Sequence, residues 1–117
     1  MDDYGSILEK AKQAAVGAAA VRNATLPPEQ ARGFDCGFAW VIVRPAEGKN
    51  TRTDPFMRYC KGAGEGERLD WGRAYGKGWL FWSPAHAPTQ SISVHEAGAR
   101  AFANVLREAG IVALVGR

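Results

Sequence analysis

The last third of the 117-residue chain carries the pattern that most constrains its fold. Ser93 and Glu96 match the capping box that begins a helix, in which the hydroxyl and the carboxylate each bind a free backbone amide. An apolar stripe at helical spacing follows, Gly110 suits the left-handed position that ends a helix, and residues 111–115 are all apolar. The pattern predicts a helix over 93–109 and then a strand, which pairs in parallel with the strand before the helix.

The N-terminal segment 4–22 predicts another helix, because its apolar residues recur at three- and four-residue spacing. Most of them are alanine, which favours a helix but buries little surface, so such a helix packs closely on a neighbour or is weakly held. Leu26-Pro27-Pro28 prevents the helix from continuing. Residues 28–32 are compatible with one short helical turn.

The middle of the chain predicts strands, because short apolar or alternating runs there are bounded by proline and glycine. The predicted strands are 34–44, 56–60 and 78–83. The glycine-rich segment 62–78 is predicted as a loop between the last two strands. The order is therefore α-β-β-β-α-β, and residues 1–117 are predicted to form a single α+β domain. The domain is predicted to be a small mixed four-stranded sheet with two helices, of which the helix at 4–22 precedes a core that spans 34–115.

Charge and cysteine content limit the setting in which the protein works. The net charge is +3, and residues 44–78 contain eight Lys/Arg and five Asp/Glu, so the excess of three lies in the middle. The acidic N-terminus and the short apolar run 14–21 lack the features of a secretory signal or a membrane span, which predicts a cytoplasmic protein. Cys36 and Cys60 are expected to be reduced and buried, although their predicted strands leave a disulfide open.

The segment from Lys61 to Trp82 combines glycines, cations and aromatic rings, which is typical of a binding loop. Protein binding is the preferred interpretation, because Trp, Tyr and Arg are the commonest interface anchors. The candidate partner-binding residues are Trp71, Arg73, Tyr75 and Lys77. Nucleic-acid binding is the alternative, since aromatic platforms with interleaved cations suit single-stranded bases and phosphates. The candidate basic patch for that alternative is Arg44, Lys49, Arg52 and Arg58.

Catalytic and metal motifs are weak in this sequence. The glycines at 62–66 and 76–78 do not match a nucleotide-binding loop, because the second group leads into a strand rather than a helix. His95-Glu96 begins a zincin pattern, but Ala99 stands where the second histidine is needed. An enzyme built on Cys36 and His95 remains a third alternative. The expectation is a non-enzymatic protein with no catalytic residues, no metal and no cofactor.

Three fragments resemble a family of short, uncharacterised proteins encoded by tailed bacteriophages and prophages. The fragments are Phe34-Asp35-Cys36-Gly37-Phe38-Ala39-Trp40, Phe81-Trp82-Ser83-Pro84 followed by Thr89-Gln90-Ser91, and Glu96-Ala97-Gly98-Ala99-Arg100-Ala101-Phe102 with Gly110-Ile111. That family carries no assigned activity, so the resemblance transfers no functional residue. It implies an accessory protein in the host cytoplasm that binds a host or phage protein, including as an inhibitor of a host defence factor.

Overall fold

The computed structural model describes residues 3–26, 37–70, 77–86 and 91–117. Within them the chain has three helices and a four-stranded sheet, which agrees with the predicted α+β class. The elements are α1 (Tyr4–Thr25), β1 (Trp40–Val43), α2 (Pro55–Ala63), β2 (Glu67–Asp70), β3 (Lys77–Trp82), α3 (Ile92–Glu108) and β4 (Ala113–Gly116). Their order is α-β-α-β-β-α-β, so the predicted order differs by one helix and by the position of one strand. The short helical turn predicted at 28–32 lies outside the described residues.

The strands lie in the order β2-β3-β1-β4, and each neighbouring pair is antiparallel. The predicted mixed sheet with a parallel pair is therefore wrong. The strands before and after α3 do run in the same direction, but β1 lies between them and pairs with both. A strand-helix-strand unit has the same local sequence pattern whether its two strands are adjacent or separated by a third strand. The pattern therefore could not show that β1 lies between β3 and β4.

The segment predicted as the strand 56–60 is instead the helix α2. Asp54 begins it: its Oδ1 accepts a hydrogen bond from the Met57 amide at 3.1 Å, and Pro55 occupies the first helical position, where no amide partner is needed. Gly64 ends it in the left-handed conformation, with φ of 70°. The apolar residues of this segment therefore share one helix face rather than alternating across a sheet.

The first helix packs along α3 through small side chains. Its buried stripe is Leu8, Ala11, Ala15 and Ala19. On α3 the facing position is Gly98, where a Cβ atom would lie 3.2 Å from the Ala15 carbonyl oxygen. The sequence left open whether this alanine-rich helix packs closely on a neighbour or is weakly held. The close approach at Gly98 shows that α1 packs closely on α3.

The predicted helix over 93–109 is confirmed as α3, but its ends differ from the prediction in one respect. Ser91, not Ser93, is the N-cap, and Glu96 forms ion pairs with Arg100 and Arg117 instead of closing a capping box. The C-terminal prediction is confirmed. Gly110 has φ of 84°, and the amides of Gly110 and Ile111 bond back to the carbonyls of Arg107 and Leu106, which is the Schellman arrangement.

The sheet has two unlike faces. Val41, Val43, Trp79 and Phe81 lie on the face covered by the helices and belong to the main core together with Phe102 and other helix residues. The opposite face, called here the second face, carries a small buried cluster of Ile42, Leu69 and Leu80 with Trp40 packed against it. Alternation along each strand produces this division, since successive side chains point to opposite sides.

Candidate functional site

The predicted binding loop is only partly described. Trp71, Arg73 and Tyr75 lie outside the described residues, so their role as contacts stays a prediction. Lys77 is the first residue of β3 and is exposed. Its carbonyl oxygen accepts a hydrogen bond from Arg44 Nη1 at 3.2 Å, which places one predicted contact beside one residue of the predicted basic patch. The predicted loop 62–78 also contains the whole of β2, so it is less open than a continuous loop.

The predicted basic patch divides in the structure. Arg52 and Arg58 line the same cavity, between α2 and β2. Arg44 is directed towards β3 instead, and Lys49 lies in the turn that follows Ala46, where its amide bonds to the Ala46 carbonyl at 2.9 Å. Neither Arg44 nor Lys49 lines that cavity.

The enzyme alternative has one described member, His95, and the structure buries it. The place of His95 in the first turn of the predicted helix favours exposure to solvent, but its exposed fraction is 2%. Its Nδ1 atom lies 3.3 Å from the hydroxyl of Ser83, whose exposed fraction is 7% and whose φ is 42°. A substrate has little access to either group, so this hydrogen bond serves to join the end of β3 to α3. Cys36, the proposed nucleophile, lies outside the described residues.

Cys60 is a buried free thiol on the inner face of α2, not on a strand as predicted. The pKa of this thiol is raised to about 12, mainly by burial and to a smaller extent by the nearby carboxylates of Glu65 and Asp54. A thiol held in its neutral form is a poor nucleophile and a poor metal ligand. Across the described part of the chain, no three His, Cys, Asp or Glu residues come close enough to hold a metal ion.

Three aromatic side chains form the clearest exposed surface among the described residues. Trp40 at the start of β1 and Trp82 at the end of β3 are direct partners in the sheet, and their rings stack with centroids 5.3 Å apart and planes 7° from parallel. Phe38, two residues before Trp40, lies against Trp82 at 5.8 Å. We call Phe38, Trp40 and Trp82 the aromatic surface. Phe38 is 46% exposed and Trp82 49% exposed.

The aromatic surface is held rigidly from behind. Trp40 lies over Gly116 of β4, where a Cβ atom would overlap the indole, so glycine is required at this position. The buried Nε1 atom of Trp40 has no hydrogen-bond acceptor among the described residues. Phe38 also contacts the buried ring of His95, at 5.0 Å. The ring of Trp40 therefore packs against both Gly116 and Trp82, which restricts its motion.

A cavity of about 690 Å³ adjoins the aromatic surface at Trp82. It lies where β3 extends past the start of β2, because Glu67 pairs with Leu80 and leaves the last two residues of β3 without a β2 partner. One wall carries an ion pair between Lys12 Nζ and Glu65 Oε1 at 2.6 Å. His86 also lines the cavity. The site thus combines a flat aromatic face with a recess that offers charged and polar groups.

The aromatic surface could not be identified from the sequence, because large apolar residues such as Trp40 and Trp82 are also compatible with the core. Trp79 and Phe81 are indeed core residues. The overlooked signal is the strand period: Trp82 has the parity opposite to that of Trp79 and Phe81, so it must point to the other face of the sheet. Nothing in the sequence shows which face of the sheet the helices cover, so Trp82 could not be assigned to the exposed face.

Comparisons with protein-family models, with curated proteins and with solved structures give no match to this chain. They therefore neither support nor oppose the resemblance to short phage proteins. In the described ranges, none of the helices has the length and apolar character needed to cross a bilayer.

Proposed function

We propose that this protein is a non-enzymatic binding protein that captures another protein through the aromatic surface and the adjoining cavity. The observation that carries the proposal is the exposure of Trp82 and Phe38, side by side and backed by the stacked ring of Trp40. Leaving two large rings in water is unfavourable for an isolated domain, and clusters of exposed aromatic residues mark interaction sites. Tryptophan is also the residue most enriched among interface hot spots.

The cavity beside Trp82 supplies the polar part of the proposed interface. An apolar side chain of the partner can cover Trp82, while Glu65 and Lys12 at the wall offer an acceptor and a donor. Such an arrangement of an aromatic anchor with a polar surround is the usual anatomy of a specific protein interface. The predicted contacts Trp71, Arg73 and Tyr75 remain part of the proposal, since they precede β3 in sequence.

The kind of partner comes from the resemblance to phage proteins, not from the coordinates. We propose a host protein in the bacterial cytoplasm, and inhibition of a host defence factor is the specific role consistent with that resemblance. Nucleic-acid binding through the glycine-rich loop stays the alternative, and its aromatic members are outside the described residues.

Affinity capture with matched variants tests this function. The tagged protein is used to capture proteins from a bacterial lysate, in parallel with the variants Trp82→Ala, Phe38→Ala and Val21→Ala. Val21 is the matched control, because it is an apolar side chain 66% exposed on α1 and outside the aromatic surface. We expect Trp82→Ala to weaken the affinity for a captured protein by at least about 30-fold, the loss typical of a tryptophan hot spot, and Val21→Ala to leave it unchanged.

Two outcomes would count against the proposal. One is a captured protein that binds the Trp82 and Phe38 variants as tightly as the unmodified chain. The other is an equal loss in all three variants, which would indicate a change of fold rather than a lost contact. Thermal unfolding of each variant separates these cases, since both rings lie at the surface and their removal should change the melting temperature little.

A further inference from the structure

A second cavity, of about 590 Å³, lies between α2 and β2 and has a strongly basic lining. We call it the basic cavity. Four cationic side chains line it, together with Thr51, Met57 and Gly62. The cations are Arg52, Arg58, Lys61 and Arg68. No Asp or Glu is part of its lining among the described residues.

Three different elements bring these cations together. Arg58 and Lys61 are three residues apart on α2 and so lie on one helix face. Arg68 pairs with Trp79 across β2 and β3, which directs its side chain to the helix side of the sheet. Arg52 belongs to the loop before α2, whose shape is fixed by Asn50: its Oδ1 accepts a hydrogen bond from the Arg52 amide at 2.9 Å.

Two carboxylates close to α2, those of Asp54 and Glu65, are engaged with other groups. Asp54 is buried as the cap of α2, and its second oxygen accepts a hydrogen bond from the Ala46 amide at 2.8 Å. Glu65 forms its ion pair with Lys12. Within the described ranges none of the four cations has a carboxylate oxygen within 4.0 Å, since the ion pairs found there involve only Lys12, Arg100 and Arg117 with their partners.

Four positive charges that have no carboxylate partner in the described part of the chain repel one another around this cavity, and a bound anion lowers that repulsion. Arginine is suited to phosphate in particular, because its planar guanidinium donates two parallel hydrogen bonds to phosphate oxygens. We propose that the basic cavity binds a phosphate-bearing ligand. The phosphate can belong to a small polyphosphate or to the backbone of a nucleic acid, and the test below separates the two sources.

This inference does not rest on the aromatic surface or on the protein partner proposed above. It keeps Arg52 and Arg58 from the basic patch predicted in the sequence, adds Lys61 and Arg68, and leaves out Arg44 and Lys49. It also explains why a chain of modest net charge can hold an anion: the four cations are concentrated at one place.

Gly62 allows a charge test with little change in structure. It lies in α2 at the edge of the basic cavity, and a Cβ atom added there would meet no other atom within 4 Å. Gly62→Glu adds a carboxylate to the cavity, whereas Gly62→Gln adds a side chain of the same size without charge. Lys10→Gln, at an exposed position on α1, lowers the net charge by the same amount as Gly62→Glu but far from the cavity in sequence.

Binding of two probes to the full chain is measured at low salt, with inorganic pyrophosphate by calorimetry and with a fluorescein-labelled single-stranded DNA 12-mer by anisotropy. For whichever probe binds, we expect Gly62→Glu and Arg58→Gln each to weaken the affinity by about tenfold, and Gly62→Gln and Lys10→Gln to leave it within about twofold. Binding of pyrophosphate alone assigns the cavity to a small polyphosphate. Binding of the DNA, with an affinity that falls steeply with salt, assigns it to a nucleic-acid backbone.

Three results would overturn the inference. These are a failure of both probes to bind, an affinity that Gly62→Glu leaves unchanged, and an equal loss in Gly62→Glu and Lys10→Gln, which would reflect net charge alone. Loss of probe binding in these variants while protein capture persists separates this inference from the proposed function. Conversely, Trp82→Ala should lose protein capture and keep the affinity for the probe.

Discussion

Replacing Gly98 with alanine tests the close packing of α1 against α3, on which the position of the whole helix layer depends. A Cβ atom at this position would lie 2.5 Å from the Ala85 Cβ and 3.2 Å from the Ala15 carbonyl oxygen. Neither neighbour can rotate away, because one is a methyl group fixed to the backbone and the other is the backbone itself. The helices must therefore move apart or the turn that carries Ala85 must shift.

The size of the effect follows from two opposing terms. Overpacking of a filled core costs about 1–3 kcal/mol, while alanine in place of glycine inside a helix is worth about 0.5–1 kcal/mol. The expected net loss in the free energy of unfolding is about 1–2 kcal/mol. For a domain of this length that corresponds to a melting temperature lower by roughly 4–8 °C.

Gly17 provides the matched control. It lies inside α1, is exposed, and a Cβ atom there would meet nothing within 4 Å. Gly17→Ala should therefore show the helix term alone and raise the free energy of unfolding by about 0.5–1 kcal/mol. Urea unfolding followed by circular dichroism measures both variants. A Gly98→Ala variant that is as stable as Gly17→Ala would refute the packing of α1 on α3 described here.

Three further predictions concern local features of the fold. Asp54→Ala removes the buried cap of α2 and should lower the free energy of unfolding in urea by about 1–2 kcal/mol; an unchanged value would show that the cap does not start the helix. Ser83→Ala and Ser83→Gly both lose the hydrogen bond to His95, but glycine also relieves the positive φ, so the glycine variant should be the more stable by about 1 kcal/mol. Equal stability of the two variants would show that the positive φ of Ser83 carries no strain. Burial raises the pKa of Cys60 from 9.0 to about 12, so its contribution to stability is complete below pH 9 and is lost as the pH rises towards 12. Relative to Cys60→Ala, the free energy of unfolding of the unmodified chain should fall by up to about 1.4 kcal/mol per pH unit in that window. If the free energies of unfolding of the two proteins change in parallel with pH, the thiol ionises as easily in the folded protein as in the unfolded chain.

The helices at the two ends of the chain could be predicted because their signals are local. Apolar residues at helical spacing indicated α1 and α3, and Gly110 marked the end of α3 correctly. The start of α3 was assigned wrongly, because Ser91 and Ser93 are both serines and only the backbone decides which one caps. Glu96 is used in ion pairs with two arginines, one of them brought from the end of the chain by β4.

The middle of the chain was harder to predict because short apolar runs suit a helix and a strand equally. Four of the five residues 56–60 are apolar or aromatic, so the run is too short and too uniformly apolar for its periodicity to separate a helix from a strand. The decisive signals were at the ends, where Asp54-Pro55 begins a helix and Gly64 ends it. The pairing of strands was not predictable in this way, since nothing local to β4 shows that it lies against β1.

The candidate site was predictable only in part for a related reason. The sequence indicated a surface rich in aromatic residues and cations near β3, and Lys77 and Trp82 do lie at its two ends. It could not show that Trp40 of β1 and Phe38, just before β1, join Trp82, because these contacts depend on the register of β1 with β3. Nor could it show that Arg68, in a segment predicted to be loop, would complete the basic cavity.

Site-specific photo-crosslinking from position 82 is the sharpest test of the aromatic surface as a binding site, because it reports contact rather than loss of affinity. A benzoylphenylalanine residue replaces Trp82 in one version of the protein and Val21 in another, and each is irradiated in bacterial lysate. We expect a discrete cross-linked protein from position 82 that is lost when Phe38 is also changed to alanine, and none from position 21. A cross-link of equal yield from both positions, or from position 21 alone, would contradict the assignment of the aromatic surface as the binding site.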